Sequence, residues 1–235
     1  MFELERRQTA YERVIDHVHE NIISGTYRLG SKLPPVDYLS EILDVPSSTV
    51  SDALKTLETL GIIINRPNGA CYISNQLQKS LLSTLSMMFV LENLDYVQIS
   101  QFRSALEFKA LELAIQNNTD SYMKQLSSLV KGMGESTSQE EIAQFDIQFH
   151  ATIALMSQNK FIINLLKSIN VLTSELIHNV RGQILTNGGP NSNLQKSHEQ
   201  ILTGIGERNY EKAAAGLKIH FNIVDNTLNK QNASC

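Results

Sequence analysis

Four residues in the second half of the chain have the types and the spacing of metal ligands. Asp146 and His150 lie four residues apart in a mostly apolar segment, so on a helix their side chains would project from the same face. His198 and His220 lie in two further segments and are also flanked by apolar residues. Three imidazoles and one carboxylate suit zinc, nickel, manganese or iron, and the residue types alone do not select among these ions.

Spacing alone leaves two interpretations of this set open. A single histidine on an apolar helix face is more often a hydrogen-bonded core residue than a ligand, and an Asp and a His four residues apart often occur by chance. Coordination of a cation is another way to offset the free-energy cost of burying an aspartate and several imidazoles. The remaining histidines, which are His17, His19 and His178, show no comparable pattern.

The segments that contain the four residues are predicted to be helices, because their apolar residues recur at intervals of three and four. Asparagines, glycines and one proline interrupt this pattern and mark the predicted helix ends. The predicted helices span residues 95–117, 119–133, 138–157, 159–186, 191–207 and 209–230. No alternation typical of strands competes with them, so we predict a helical bundle.

Residues 10–75 have the element order of a winged helix-turn-helix. Apolar stripes predict three helices, over residues 11–24, 37–43 and 49–60. Ser47 or Ser48 can cap the third helix, and capping is as good an interpretation of these serines as contact with DNA bases. Asn68-Gly69 between two apolar runs predicts a β-hairpin after it.

The predicted fold class is therefore mainly α, with an N-terminal winged helix-turn-helix followed by an all-helical bundle. We place the winged helix-turn-helix at residues 1–75, a linker helix at residues 76–92 and the bundle at residues 93–235.

The composition limits the partners and the compartment. The chain has 235 residues, of which 42% are apolar, which is enough for one large or two ordinary domains. The 20 Lys and Arg nearly balance the 24 Asp and Glu, for a net charge of −4, so DNA binding would need a local surface. No apolar run reaches roughly 18–20 residues and the start is charged, so we expect a cytoplasmic protein with no membrane span. Cys71 and Cys235 match no ligand or disulfide spacing and are expected to be reduced thiols.

Several segments of the chain are similar to those of one known family. In the first half these are residues 23–34, 43–54 and 57–62, which match the family's entry loop and the frame of its recognition helix. In the second half they are Arg103-Ser104-Ala105-Leu106-Glu107, residues 145–159 and residues 198–220. Over roughly residues 10–230, the chain resembles GntR-family bacterial transcription regulators of the FadR subfamily, which have a C-terminal FCD ligand-binding domain.

The resemblance implies roles for residues of the second half. The family's Asp, His, His, His metal ligands correspond to Asp146, His150, His198 and His220, and zinc is the first candidate for the ion. The family's effectors are small carboxylates held at the metal. Arg103 corresponds to a residue that can face their cavity, and it is a candidate effector-binding residue because a guanidinium pairs well with a carboxylate. An ion pair between Arg103 and Glu107, one helical turn away, is the alternative. Asn159 and Arg181 are further candidates for the ligand cavity.

The DNA-reading half departs from the family pattern. The family's arginines at three positions are replaced by Asp37, Ser47 and Ser51. Residues 1–78 contain seven Lys and Arg against ten Asp and Glu, a net charge of −3, although phosphate neutralisation supplies much of protein–DNA affinity.

We predict that DNA is still bound, with phosphate contacts from three cations and hydrogen bonds from four hydroxyl groups. The cations are Lys32, Lys55 and Arg66, and the hydroxyl groups belong to Ser47, Ser48, Thr49 and Ser51. The alternative is weak DNA binding or a very different target sequence.

The function predicted from the sequence is that of a ligand-responsive transcription regulator rather than an enzyme. A homodimer would bind a two-fold DNA operator, and a small organic acid bound at the metal would change its DNA affinity through the linker region. Two alternatives remain: a metal-dependent hydrolytic enzyme, because a metal with an open position can activate water, and a metal sensor in which the ion itself is the signal.

Overall fold

The computed structural model describes residues 8–67, 69–172 and 193–232. The chain divides into two compact units, Met1–Thr84 and Leu85–Cys235. The division falls inside helix α4 (Gln78–Leu91), which lies within the predicted linker at residues 76–92.

The first unit is a winged helix-turn-helix, as predicted. Helix α1 (Ala10–Ile23) begins at a capping box formed by Thr9 and Glu12. It is followed by α2 (Val36–Leu43), α3 (Ser47–Thr59), β1 (Ile63–Asn65) and β2 (Cys71–Ile73).

The wing is an antiparallel hairpin in which Ile63 pairs with Ile73 and Asn65 with Cys71. Gly69, from the Asn-Gly pair that predicted the turn, has φ +75°, a conformation that favours glycine. On the other side of β2, Lys32 forms a backbone bridge with Tyr72.

The core of the first unit is built from the apolar stripes of its helices. Val14 and Val18 of α1, Leu39 of α2, and Val50 and Leu57 of α3 are all fully buried. The stripe that predicts α3 is thus the face that packs inward, and its opposite face is left to solvent.

The predicted cap of α3 is wrong. Pro46 occupies the N-cap position and provides no side-chain cap, and Ser47 is the first residue of the helix. Proline's fixed φ is compatible with this position. The hydroxyl groups of Ser47 and Ser48 are therefore not used as caps, and both residues are exposed.

The second unit is all-helical. Its helices after α4 are α5 (Tyr96–Gln116), α6 (Asp120–Glu135), α7 (Gln139–Met156), α8 (Lys160–Leu172), α9 (Asn193–Gly206) and α10 (Tyr210–Asn232). Wherever the structure describes both ends of a predicted helix, the bounds agree within two residues. The predicted helix at 159–186 is described only as far as Leu172, and residues 173–192 lie outside the described part of the chain.

Helices α9 and α10 pack with their backbones in close approach. A Cβ atom on Gly216 of α10 would come within 2.9 Å of the Ser197 carbonyl oxygen and of the Ile201 nitrogen on α9. A Cβ atom on Gly204 of α9 would collide with the backbone of Ala213 on α10. These glycines allow two helices that carry histidines to lie side by side.

Helix α4 has no buried residue, and several of its apolar side chains are exposed, among them Met87, Met88, Val90 and Leu91. None of the described helices is both long enough and apolar enough to cross a membrane.

Candidate metal centre

The four residues singled out by the sequence lie together in the second unit. Asp146 and His150 are on α7, His198 is on α9 and His220 is on α10. All four side chains are buried, and each offers one ligand atom such that these atoms lie within 4.8 Å of one another. Residues separated by up to 74 positions in the sequence therefore face one point in the helical core.

Asp146 is at the centre of the cluster. Its Oδ1 lies 2.8 Å from Nε2 of His198 and 3.4 Å from Nε2 of His150. The His150 Nε2 atom is buried and has no hydrogen-bond partner among the described residues. Burying an imidazole nitrogen in this way is unfavourable unless a ligand completes its interactions.

Aromatic rings surround the cluster. The fully buried Phe149 meets His150 and His198 edge to face, with ring centroids 5.6 and 5.2 Å apart. The rings of His150 and His220 are 4.6 Å apart. Apolar walls of this kind exclude water and strengthen electrostatic interactions inside the site.

Glu107 of α5 joins the cluster through a contact with His150 that the sequence analysis did not predict. Its Oε2 lies 2.5 Å from Nδ1 of His150, and its Oε1 accepts a hydrogen bond of 2.5 Å from Nε of Arg103. Glu107 is buried. Its position one helical turn from Arg103 was the available signal, but the contact with His150 links residues 43 positions apart and has no local signature.

The environment of Glu107 keeps its carboxylate ionised. Burial alone would raise the pKa of this group, but the charges and hydrogen bonds of Arg103 and His150 lower the pKa to about 2. An ionised carboxylate only accepts hydrogen bonds. It follows that His150 donates through Nδ1 and that Arg103 donates through Nε.

The residues present fit a divalent transition metal. Three imidazoles and one carboxylate are ligands that zinc, nickel, manganese and iron all accept, and the buried Nε2 of His150 has no hydrogen-bond partner among the described residues that would compete with a metal. If a metal binds here, Asp146, His150, His198 and His220 would hold it, and the metal would supply Lewis acidity toward the oxygen atoms of a small ligand.

The structure describes two of the three residues predicted to bind the organic ligand, and these two lie in different environments. Arg103 is buried and forms the predicted alternative, the ion pair with Glu107, yet its Nη2 has no hydrogen-bond partner among the described residues. Asn159 is exposed, and its side chain accepts hydrogen bonds from the backbone N–H groups of Phe161 and Ile162 at the start of α8. Arg181 lies outside the described residues.

The residues predicted to contact DNA lie mainly on one exposed face of α3. Ser47, Ser48, Ser51 and Lys55 are exposed, and Thr49 is half-buried. The hydroxyl group of Ser51 donates a hydrogen bond of 2.9 Å to the Ser47 carbonyl, so it remains an acceptor toward an outside group.

The other two cations predicted to contact DNA, Lys32 and Arg66, are at the wing. Arg66 is exposed and its guanidinium lies 4.7 Å from the centre of the Tyr72 ring, an arrangement typical of a cation–π contact. Lys32 is exposed beside β2. Asp37 occupies the first turn of α2, where a carboxylate is favoured by the helix dipole; this gives the acidic residue a structural reason to be present.

Comparison with known families assigns both units. Residues 10–73 match the bacterial regulatory proteins of the gntR family, and residues 98–222 match the FCD domain. The chain belongs to the GntR family. This GntR-family protein therefore combines a DNA-binding helix-turn-helix with an effector-binding FCD domain, and it is a ligand-responsive DNA-binding transcription regulator.

Individual relatives agree with this assignment. The chain is 25% identical over 209 residues to the HTH-type transcriptional regulator LutR of Bacillus subtilis (strain 168), an alignment that covers 88% of this chain and 95% of the relative. It is 26% identical over 159 residues to the Exu regulon transcriptional regulator of Escherichia coli (strain K12), covering 67% of this chain and 60% of that protein. The structure is similar to that of Streptococcus agalactiae GntR, with 25% identity, a TM-score of 0.62, and coverage of 92% and 99% of the two chains.

Proposed function

We propose that this GntR-family protein controls transcription in response to a small organic acid bound at a divalent metal, with zinc as the first candidate. Asp146, His150, His198 and His220 would be the metal ligands. The observation that carries the proposal is the convergence of three imidazoles and a carboxylate, all buried, from three helices. Coordination of a cation would offset the cost of burying these polar groups in an apolar core.

Arg103 supports a carboxylate as the effector. Its guanidinium is buried, uses Nε to bind Glu107, and has no hydrogen-bond partner for Nη2 among the described residues. A carboxylate could take up this donor while its other oxygen binds the metal. Among the three predicted ligand residues, Arg103 is thus the best supported, since the Asn159 side chain caps α8.

On the DNA side, we propose a homodimer of the FadR type that reads a two-fold operator through α3. The exposed hydroxyl groups of Ser47, Ser48 and Ser51 would donate to or accept from DNA. Lys32, Lys55 and Arg66 would contact phosphates. With so few cations, one half-site would be bound weakly, and two half-sites held by one dimer would compensate. The coupling between effector and DNA would pass through residues 76–92, which join the two units.

The test is DNA binding with the metal and the effector varied separately. The full-length protein is stripped of metal, reloaded with zinc, and used to select DNA sequences with and without a panel of mono- and dicarboxylic acids. We expect a two-fold sequence whose affinity changes when both zinc and one of the acids are present, and His150→Ala should bind the same DNA without that response. Absence of sequence-specific binding in every condition would refute the proposal.

The buried four-ligand set also favours a second candidate, a metal sensor, because four protein ligands can hold an ion without any organic molecule. In that case zinc alone, at concentrations near its dissociation constant, would change DNA affinity, and the acids would have no further effect.

A metal-dependent hydrolase is less well supported. Glu107, whose carboxylate contacts the proposed ligand His150, is occupied by Arg103 and His150 and is therefore a poor general base. Steady hydrolysis of esters or amides by the zinc-loaded protein, lost in His150→Ala, would support the hydrolase instead.

A further inference from the structure

We infer that Glu107 is a positioning residue that presents Nε2 of His150 to the metal and, through Arg103, ties this ligand to helix α5. The inference rests on the proposed metal site and adds a residue that lies outside the ligand set. Glu107 would determine which of the two imidazole nitrogens of His150 faces the ion, and it would do so before the ion binds.

The geometry leaves one arrangement of the imidazole. Nδ1 of His150 lies 2.5 Å from Oε2 of Glu107, and Nε2 of the same ring lies on the side of Asp146, 3.4 Å from its Oδ1. The other oxygen of the same carboxylate accepts from the Arg103 guanidinium, so Glu107 is placed as an acceptor on both sides and Nδ1 is the donor. In a neutral imidazole the proton is then on Nδ1, and the lone pair on Nε2 is available to a metal.

Glu107 is itself held in place from the other side. Its Oε1 binds Nε of Arg103 on the same helix, one turn earlier. The Arg103 guanidinium lies 5.8 Å from the centre of the Phe221 ring on α10, and Phe221 follows His220 directly. Ser100 of α5 also donates a hydrogen bond of 2.5 Å to Asp225 of α10. Guanidinium, carboxylate and imidazole thus form one chain of contacts, supported by the packing of α5 on α10.

A carboxylate that accepts from a metal-bound histidine fixes the ring orientation and increases the basicity of the ligand, and loss of such a partner typically weakens metal affinity by about 10- to 100-fold. Glu107→Ala should therefore bind zinc about 10- to 100-fold more weakly than the wild type. Glu107→Gln should lie between the two, because its amide oxygen can still accept from Nδ1 while its amide N–H₂ group opposes Arg103.

The matched control is Glu112→Ala. Glu112 lies on the same helix, is half-buried, and pairs only with Lys109, at 2.8 Å, among the described contacts. Its removal changes the charge of α5 as Glu107→Ala does but leaves the buried chain of contacts intact. We expect its zinc affinity to stay within about twofold of the wild-type value.

The experiment uses the full-length protein, stripped of metal and titrated with zinc against a chromophoric chelator. In parallel, NMR spectra of ¹⁵N-histidine-labelled, metal-free wild type report the tautomer of His150. The spectra are recorded at pH 8, where an ordinary imidazole is neutral. The His150 signals are those that disappear in the His150→Ala variant. We expect a proton on Nδ1 and none on Nε2, and a mixture of tautomers in Glu107→Gln. This spectrum is independent of metal loading and of whether Glu107→Ala folds.

Two results would overturn the inference: zinc affinity of both Glu107 variants within about twofold of the wild type, or a metal-free wild type whose His150 has its proton on Nε2. If the wild type binds zinc tightly and either result is found, the inference fails while the proposed metal site stands. If the wild type binds no zinc, nickel, manganese or iron, the proposed site and the inference fail together.

Discussion

The metal cluster and the reading face of α3 differ in what surrounds them. Every side chain of the cluster is buried and has defined neighbours, so the identity of each residue is restricted by geometry. On α3, Ser47, Ser48, Ser51 and Lys55 face solvent, and among the described residues their one side-chain hydrogen bond is from the Ser51 hydroxyl to the Ser47 carbonyl. The identity of these exposed residues must therefore be restricted by a partner molecule outside this chain.

This difference predicts that the two regions tolerate different substitutions. A buried charge without its partner costs several kcal/mol, whereas a solvent-exposed serine can replace an arginine at almost no cost to folding. The sensing core can therefore keep its pattern while the DNA-facing residues change with their target.

The largest effect is expected from removing two metal ligands. His198→Ala combined with His220→Ala should weaken zinc binding on the order of 1,000-fold or more, because a metal site of this type is worth about 10–16 kcal/mol spread over its ligands. The measurement is competition with a chelator and metal content after dialysis. His17→Ala is the control, since its ring contacts Tyr27 in the first unit. Retention of wild-type affinity by the double variant would exclude these ligands.

A core substitution in the first unit should affect only one side of the comparison. Leu57→Ala removes a fully buried side chain of α3 and should lower the free energy of unfolding of that unit by about 2–5 kcal/mol. DNA binding should be weakened while zinc affinity is unchanged. The readouts are denaturant unfolding and the chelator competition on the same sample, and a parallel loss of zinc affinity would show that the units do not fold independently.

Arginines restored to the reading face should strengthen DNA binding. Ser47→Arg with Ser51→Arg adds two cations on adjacent turns of one exposed face. At 0.1 M salt the gain should be on the order of tenfold per phosphate contact, and the slope of log affinity against log salt should steepen by about 2. His19→Arg, on the exposed side of α1, is the control for net charge. An unchanged salt slope would mean that this face does not meet the phosphates.

The smallest effect concerns the thiol of the wing. Burial, and secondly the charge of Glu58, raise the pKa of Cys71 above its usual value of 9.0. Since the thiolate is the reactive form, Cys71 in a Cys235→Ser background should be alkylated a few-fold more slowly than free cysteine at pH 8. The rate should rise with pH through a midpoint above 9.0. A midpoint at or below that value, measured by mass spectrometry, would contradict this assignment.

The sequence predicted contacts between residues that are close in the chain, but spacing did not predict contacts between residues on different helices. The i, i+4 spacing of Asp146 and His150 needs only a helix. The meeting of His198 and His220 with this pair depends on how α9 and α10 pack, which spacing does not encode, so only the resemblance to a family linked all four.

The missed features have different origins. The contact of Glu107 with His150 is long-range and was not assigned. The predicted cap at Ser47 or Ser48 was wrong because Pro46 takes the N-cap position, a choice that residue preferences alone do not decide. Asn159 stays a weaker candidate for the ligand cavity, and its side chain accepts hydrogen bonds from the backbone at the start of α8, a local contact that the sequence analysis did not consider.

The separation of the histidines along the chain has a consequence for the lifetime of the folded protein. His150 and His198 are 48 positions apart, and His198 and His220 are 22 apart. An ion bound by all three would act as a reversible cross-link that closes two large loops, restricting the unfolded chain much as a pair of disulfides would. If the metal is bound strongly, this unit would unfold only after the ion dissociates. The dissociation rate of the ion would then set the lifetime of the folded state.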